Sequence, residues 1–283
     1  MKLWGRKDKI SGKGKRKKQI FFISLAVLLI LSLVLQSGVY ANHKSGAWTP
    51  DYPKVDISKI LKKDTLSSDN YRLLYAQTGL TGIGVDGLLA SGNDEKILKI
   101  QEEFFTVHSW INEPFAPFTC SDRLDVSIPL AGLEDGDIII SPNSHISYFR
   151  SGHAALVVDA DNGRIINATG YGSESGLEDA TELSCRPGFM VLRPRAERDT
   201  RSKVAEYTKD NLTGLKYSLL AGLSGGEEIK TTQCSHLVWY AYKQFGIDLD
   251  SNGGAFVWPK DIANSPELEL VQVYGIDPNE LWK

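Results

Sequence analysis

The chain predicts an α+β protein, with an antiparallel sheet packed against helices and a further helical segment ahead of it. Three observations carry this. Short β-branched runs bounded by Gly, Asn, Asp or Pro crowd between Leu133 and Arg193. Runs with apolar residues three and four apart lie on either side of them, and Asp161-Asn162-Gly163 sits between two of the strand-like runs. Period-two and period-3.6 patterns separate strands from helices, and an Asn-Gly pair favours the tight turn of a hairpin.

From the start, Lys and Arg dominate residues 2–18, and Ile20–Leu35 is apolar except for Ser24 and Ser32, with Val39-Tyr40-Ala41 following. A basic region, an apolar run and small residues are the pattern of a secretory leader, so 1–41 is expected to be a signal peptide, cleaved or retained as an anchor. The apolar run is slightly short for a spanning helix, which needs roughly 20 residues. In both alternatives the remainder faces outward, with the membrane reached only through this segment. Asn42–Lys54 is polar and reads as a tether. Val55–Lys62, Asp69–Gln77, Val85–Leu89 and Asp94–Thr106 have helical spacing, with Ser67, Ser68 or Asp69 as caps, and 55–132 reads as an accessory helical lobe. The glycines of Thr78–Gly84 mark a turn, since they match neither a dinucleotide fingerprint nor a phosphate loop. Strands are expected within Asp135–Ser141, His153–Asp159, Gly163–Asn167 and Phe189–Arg193. Arg198–Leu212 and Thr232–Phe245 are helical, the latter stopped by Gly246.

Of the 32 Lys+Arg residues nine precede Asn42, against Asp8 alone among the 35 Asp+Glu, so the rest of the chain is clearly acidic. That argues against a nucleic acid or an anionic membrane surface as the main partner. Three cysteines leave one over in an oxidising compartment. Cys120 and Cys185 can pair and spare Cys234, or all three can be free, because connectivity is not readable from sequence.

The chemistry centres on Cys234, which opens the helix in Thr232-Gln233-Cys234-Ser235-His236. A helix N-terminus and an imidazole partner are the common means of lowering a thiol pKa, and Thr231 or Thr232 can cap the helix. Its unpaired amides can also receive an oxyanion. His153, which opens a strand after Gly152, is the candidate base. His236 points to another side of the cysteine helix. Hairpin pairing brings Asn167 beside His153, where an asparagine can orient the ring without adding charge. Tyr217 and Gln233 are candidate substrate or oxyanion contacts. Trp258-Pro259 reads as packing. Against these stand the bland readings: an inert buried cysteine, an ordinary strand-end asparagine and a core tyrosine. The histidines are not spaced as metal ligands, and no cofactor is implied.

The run Asp135-Gly-Asp-Ile-Ile139, Gly152-His-Ala-Ala-Leu-Val-Val158, Ile165-Ile-Asn-Ala168 and Gln233-Cys-Ser-His-Leu-Val-Trp-Tyr-Ala-Tyr242 resembles the circularly permuted NlpC-type papain-fold cysteine hydrolases, in the YiiX/YebB-like branch. The resemblance spans about Leu133–Val273, and it implies a permuted papain-like hydrolase domain over 133–283. It also implies Cys234 as nucleophile, His153 as base and Asn167 as third member. Many relatives carry glutamate at that third position, and His236 replaces a smaller or acidic residue. The expected function is an exported hydrolase that cleaves peptide-type amides through a thioester, with cell-wall peptidoglycan as substrate. The alternatives are a lipid ester hydrolase or acyltransferase with the same thiol, and a non-catalytic wall-binding module.

Overall fold

The computed structural model describes residues 8–43, 47–111, 119–146, 149–222 and 229–282. The chain divides into two units, Met1–Ser45 and Gly46–Lys283. In the first, α1 (Asp8–His43) contains the whole apolar run, and its described apolar side chains are largely exposed. Among the described residues no helix is long and apolar enough to cross a membrane.

The second unit starts with α2 (Ser58–Leu61), α3 (Ser68–Thr78), α4 (Gly82–Ala90) and α5 (Asp94–Phe105). Ser67 caps α3 in a reciprocal pair with Asn70, which satisfies two orphan amides at once. Short strands follow: β1 (Trp110–Ile111), β2 (Thr119–Ser121) and β3 (Arg123–Leu124). Then come β4 (Ile138–Ser141), β5 (Ser144–Ile146), β6 (Phe149–Arg150), β7 (His153–Asp159), β8 (Arg164–Asn167) and β9 (Gly176–Asp179). The chain closes with α6 (Thr181–Ser184), β10 (Phe189–Pro194), α7 (Arg198–Asn211), β11 (Lys216–Tyr217), β12 (Thr231–Thr232), α8 (Cys234–Lys243), α9 (Pro259–Ala263) and β13 (Leu268–Tyr274). The main sheet has six strands in the order β13-β10-β4-β7-β8-β9, and every neighbouring pair is antiparallel.

Both faces of this sheet are buried, which is why its strands read as near-continuous apolar runs rather than as alternation. Ile139, Ala155, Val157, Ile165 and Val191 face Leu74, Val85, Ile97, Ile100 and Phe104 of the early helices. Ile138, Ile140, Leu156, Ile166 and Leu192 face Val204 of α7 and Leu237, Val238, Ala241 and Tyr242 of α8. Each fully buried Leu, Ile or Val contributes roughly 1.5–3 kcal/mol, so neither layer stands alone. The segment 55–132 is therefore a layer of the body and not an accessory lobe. Periodicity reveals an apolar face without revealing what covers it. The expected tether is also docked from Ala47 onward: the Trp48 amide donates to Gly275 O at 3.0 Å, and its ring packs on Phe104 and Tyr52.

The glycine turn before α4 works by close approach. Gly79, at φ +69°, leaves no room for a Cβ against Val273 O. Its carbonyl accepts from Val273 N at 2.9 Å, and Thr81 N donates to Val271 O at 3.0 Å, covering the β13 edge. The Asp135-Gly-Asp137 motif is structural. Arg193 grips the buried Asp137 through two bonds of 2.9 and 2.8 Å, and Tyr242 OH donates to Gly136 O at 2.5 Å. Cys185 is a buried thiol, and the side chain of Cys120, its expected partner, lies outside the described residues.

Candidate active site

Cys234 is the first residue of α8 and is only 7% exposed. The cap is Gln233, not Thr231 or Thr232: its Oε1 accepts from Ser235 N at 3.1 Å, while Nε2 donates to Val257 O at 3.2 Å. Thr231 and Thr232 are instead in β12, paired in parallel with Lys216 and Tyr217 of β11. Ser235 Oγ, beside the thiol, donates to Val257 O at 2.7 Å and pins the helix start to the chain before α9. The thiol donates to Gln233 Oε1 at 3.4 Å. Burial pushes the Cys234 pKa up, and the nearby amides of Ala154, Ser235 and Cys234 itself, with the Ser235 hydroxyl, pull it down by less. The expectation of a lowered pKa is thus reversed, because desolvation of a thiolate outweighs the neutral dipoles around it.

His153 is the first residue of β7, paired with Ser141 of β4. Gly152 just before it adopts φ +71°, and a Cβ there would lie 2.3 Å from the Trp282 ring. The register of β7 with β8, Leu156 opposite Ile166, sets Asn167 two positions along from His153 on the same face. His153 Nε2 donates to Asn167 Oδ1 at 2.6 Å, because Asn167 Nδ2 is itself committed as a donor to Glu178 Oε2 at 2.8 Å. With the proton on Nε2, Nδ1 keeps a lone pair. Burial, assisted by the positive Arg186, lowers the His153 pKa to about 4, so the ring is neutral at ordinary pH. The amide of Ala154, the residue after His153, lies near enough to the Cys234 sulfur to favour its thiolate. His153 and Asn167 are thus joined where β7 begins and β8 ends, and Cys234 opens α8, which packs against β7.

A cleft of about 210 Å³ opens on Cys234. Ser151, Gly152, Tyr217 and Gln233 line it, together with the apolar Leu219, Leu220, Phe256, Trp258 and Pro259. Tyr217 and Gln233 therefore line the same cleft as Cys234, and the Gln233 side chain serves the helix cap. Trp258-Pro259 belongs to the cleft wall and not only to packing.

No protein-family model and no curated protein matches the chain.

Sequence reasoning missed Glu178 and Arg186, the two charged residues that act on His153 through Asn167 and through space. Glu178 lies on β9, opposite Ile165, after an irregular connection that no period could register. Arg186 follows α6 and reaches Ser144 Oγ at 3.3 Å. The other described histidine rings are engaged elsewhere. His236 meets Thr232 Oγ1 at 3.4 Å and stacks loosely near Trp239 and Tyr240. His108 meets Glu103 at 2.6 Å, and His145 faces Asp122 at 3.7 Å. Among the described residues no group of three or more His, Cys, Asp or Glu side chains is placed to hold a metal.

Proposed function

We propose that the body is an exported cysteine hydrolase that cleaves peptide-type amide bonds in cell-wall peptidoglycan, built as a circularly permuted NlpC-type papain fold of the YiiX/YebB-like kind. The observation that carries this reading is a thiol that opens α8 in the wall of a cleft also lined by Gly152, the residue next to the neutral, asparagine-held imidazole of His153. The order of histidine before cysteine and the antiparallel sheet packed by α8 support it. The leader-like segment before Asn42, with its basic start and exposed apolar side chains, supports export.

In this reading His153 Nδ1 takes the Cys234 proton as Sγ attacks the carbonyl carbon, so that charge forms only when substrate is present. The oxyanion is received by the Cys234 amide at the helix start, since Gln233 is spent on the cap. The imidazolium gives its proton to the departing nitrogen, the C–N bond breaks, and a thioester remains. Water, deprotonated by His153, then releases the acid and restores the thiol.

A second reading, a lipid ester hydrolase or acyltransferase through the same thioester, is favoured by one observation: no charged side chain is among the described cleft-lining residues, and Leu219, Leu220, Phe256 and Trp258 suit an apolar acyl group. Mass spectrometry of products after incubating wild type and Cys234→Ala with purified peptidoglycan, and in parallel with phospholipid vesicles, separates the two. Muropeptide fragments absent from the variant support the first reading. Fatty acid or transferred acyl product absent from the variant supports the second. No difference in either arm overturns both in favour of a binding module.

A further inference from the structure

We propose that Glu178 is a positioning residue for His153, acting through Asn167 as a fourth member of the catalytic chain; this rests on the thiol–imidazole reading above. An asparagine alone is an ambiguous support, because its amide can flip and present either an acceptor or a donor to the ring. Here the choice is made by Glu178. A carboxyl oxygen at 2.8 Å from Asn167 Nδ2 demands the NH₂ group, and this turns Oδ1 to His153 Nε2 at 2.6 Å. Asn167 is buried at 1% exposure, so a flipped amide has no water to compensate it. The consequence falls on the far side of the ring. Nε2 must carry the proton, so Nδ1 is always the basic nitrogen.

Glu178 also places an acidic group on the Asn167 side of the ring. When His153 takes the thiol proton, the imidazolium meets the positive Arg186 on one side and the acidic side chain of Glu178 through the polarised amide on the other. The position is reached by geometry: β8 and β9 pair in register, with Asn167 opposite Gly176 and Ile165 opposite Glu178, so Glu178 and Asn167 sit diagonally across one ladder.

The test uses iodoacetamide as the probe and follows alkylation of the Cys234 peptide by mass spectrometry from pH 5 to 9, on the full chain. His153→Ala must slow alkylation near neutral pH; if it does not, the thiol–imidazole reading itself fails. Given that effect, Glu178→Ala is expected to slow alkylation at pH 7 by at least about tenfold, as loss of general-base support does. Glu178→Gln keeps an acceptor for Nδ2 and is expected to lose less. Asn167→Asp sets two carboxyl groups against each other without a donor between them and is expected to be slow. The double variant Asn167→Asp/Glu178→Gln restores a donor and is expected to return to within about threefold of wild type. A Glu178→Ala profile that overlays wild type while His153→Ala does not, or a double variant as slow as Asn167→Asp, overturns the proposal. A merely structural loss at Glu178 would not be rescued by a second substitution at Asn167.

Discussion

Cys234 and His153 are both uncharged at rest, and for the same reason: each is buried where an ion has lost its water. Burial raises the thiol and lowers the imidazole, to about 4 for His153. The sign for activity follows directly. The base is lost only when His153 gains a proton, so the acid limb of kcat/KM is expected near pH 4 and not near 6.5, the value of a free histidine. Arg186 holds the ring's pKa down in addition to burial, so Arg186→Met is expected to move that limb upward. Initial rates between pH 3.5 and 8, on whichever substrate the product screen identifies, check both statements. A limb at 6.5 in the wild type would mean that His153 is hydrated in the working enzyme. The positions of Cys234 at a helix start and His153 at a strand start were legible in the sequence. Their protonation was not, since it depends on what covers them: Val257 and Trp258 from the segment before α9, and Trp282 against Gly152.

At the level of elements, the entry into β7 decides whether His153 is in place. Gly152 combines a left-handed backbone with a ring 2.3 Å from where a Cβ would stand, and it precedes the histidine directly. Gly152→Ala is expected to cost about 1–3 kcal/mol from the backbone and more from the clash. Adding Trp282→Ala relieves the clash but not the strain, so partial recovery is the expected result in urea midpoints and in Cys234 alkylation. Full recovery would show that the positive φ is unimportant. The β7–β8 hairpin itself was readable, because Asp161-Asn-Gly163 fixes the turn and Gly163 takes φ +62° as such turns require. Hence Asn167 was found. The cap of α8 was not: threonine is the commoner capping residue, but Thr231 and Thr232 are claimed by a two-residue parallel pairing between β11 and β12 that has no periodic signature. Glu178 was hidden for a like reason, lying beyond the irregular connection from β8 to β9.

The body from Gly46 to Lys283 is one compact unit, with the sheet buried on both faces between two helical layers. The sequence showed two kinds of segment but not that they share a sheet, so the early helices read as a lobe. A single unit also makes acid stability a global property. His153 and His236 are each lowered by burial to about 4, one at the end of β7 and one in α8. A base depressed in the folded state binds fewer protons there than in the unfolded chain. Stability is therefore unaffected above about pH 6.5 and falls as pH drops from 6.5 toward 4. In that window the slope approaches roughly 1.4 kcal/mol per pH unit for each histidine. Carboxyl groups held low by hydrogen bonds, such as Asp159 with Asn162, add their loss only further down. Urea midpoints of the body at pH 7, 6 and 5 are expected to fall steadily, with a limiting slope near two protons. His236→Gln keeps a polar side chain beside Thr232 and removes one proton, so its slope is expected to halve. An unchanged slope would place the acid sensitivity in the carboxyl groups and show that His236 is not buried as a neutral ring.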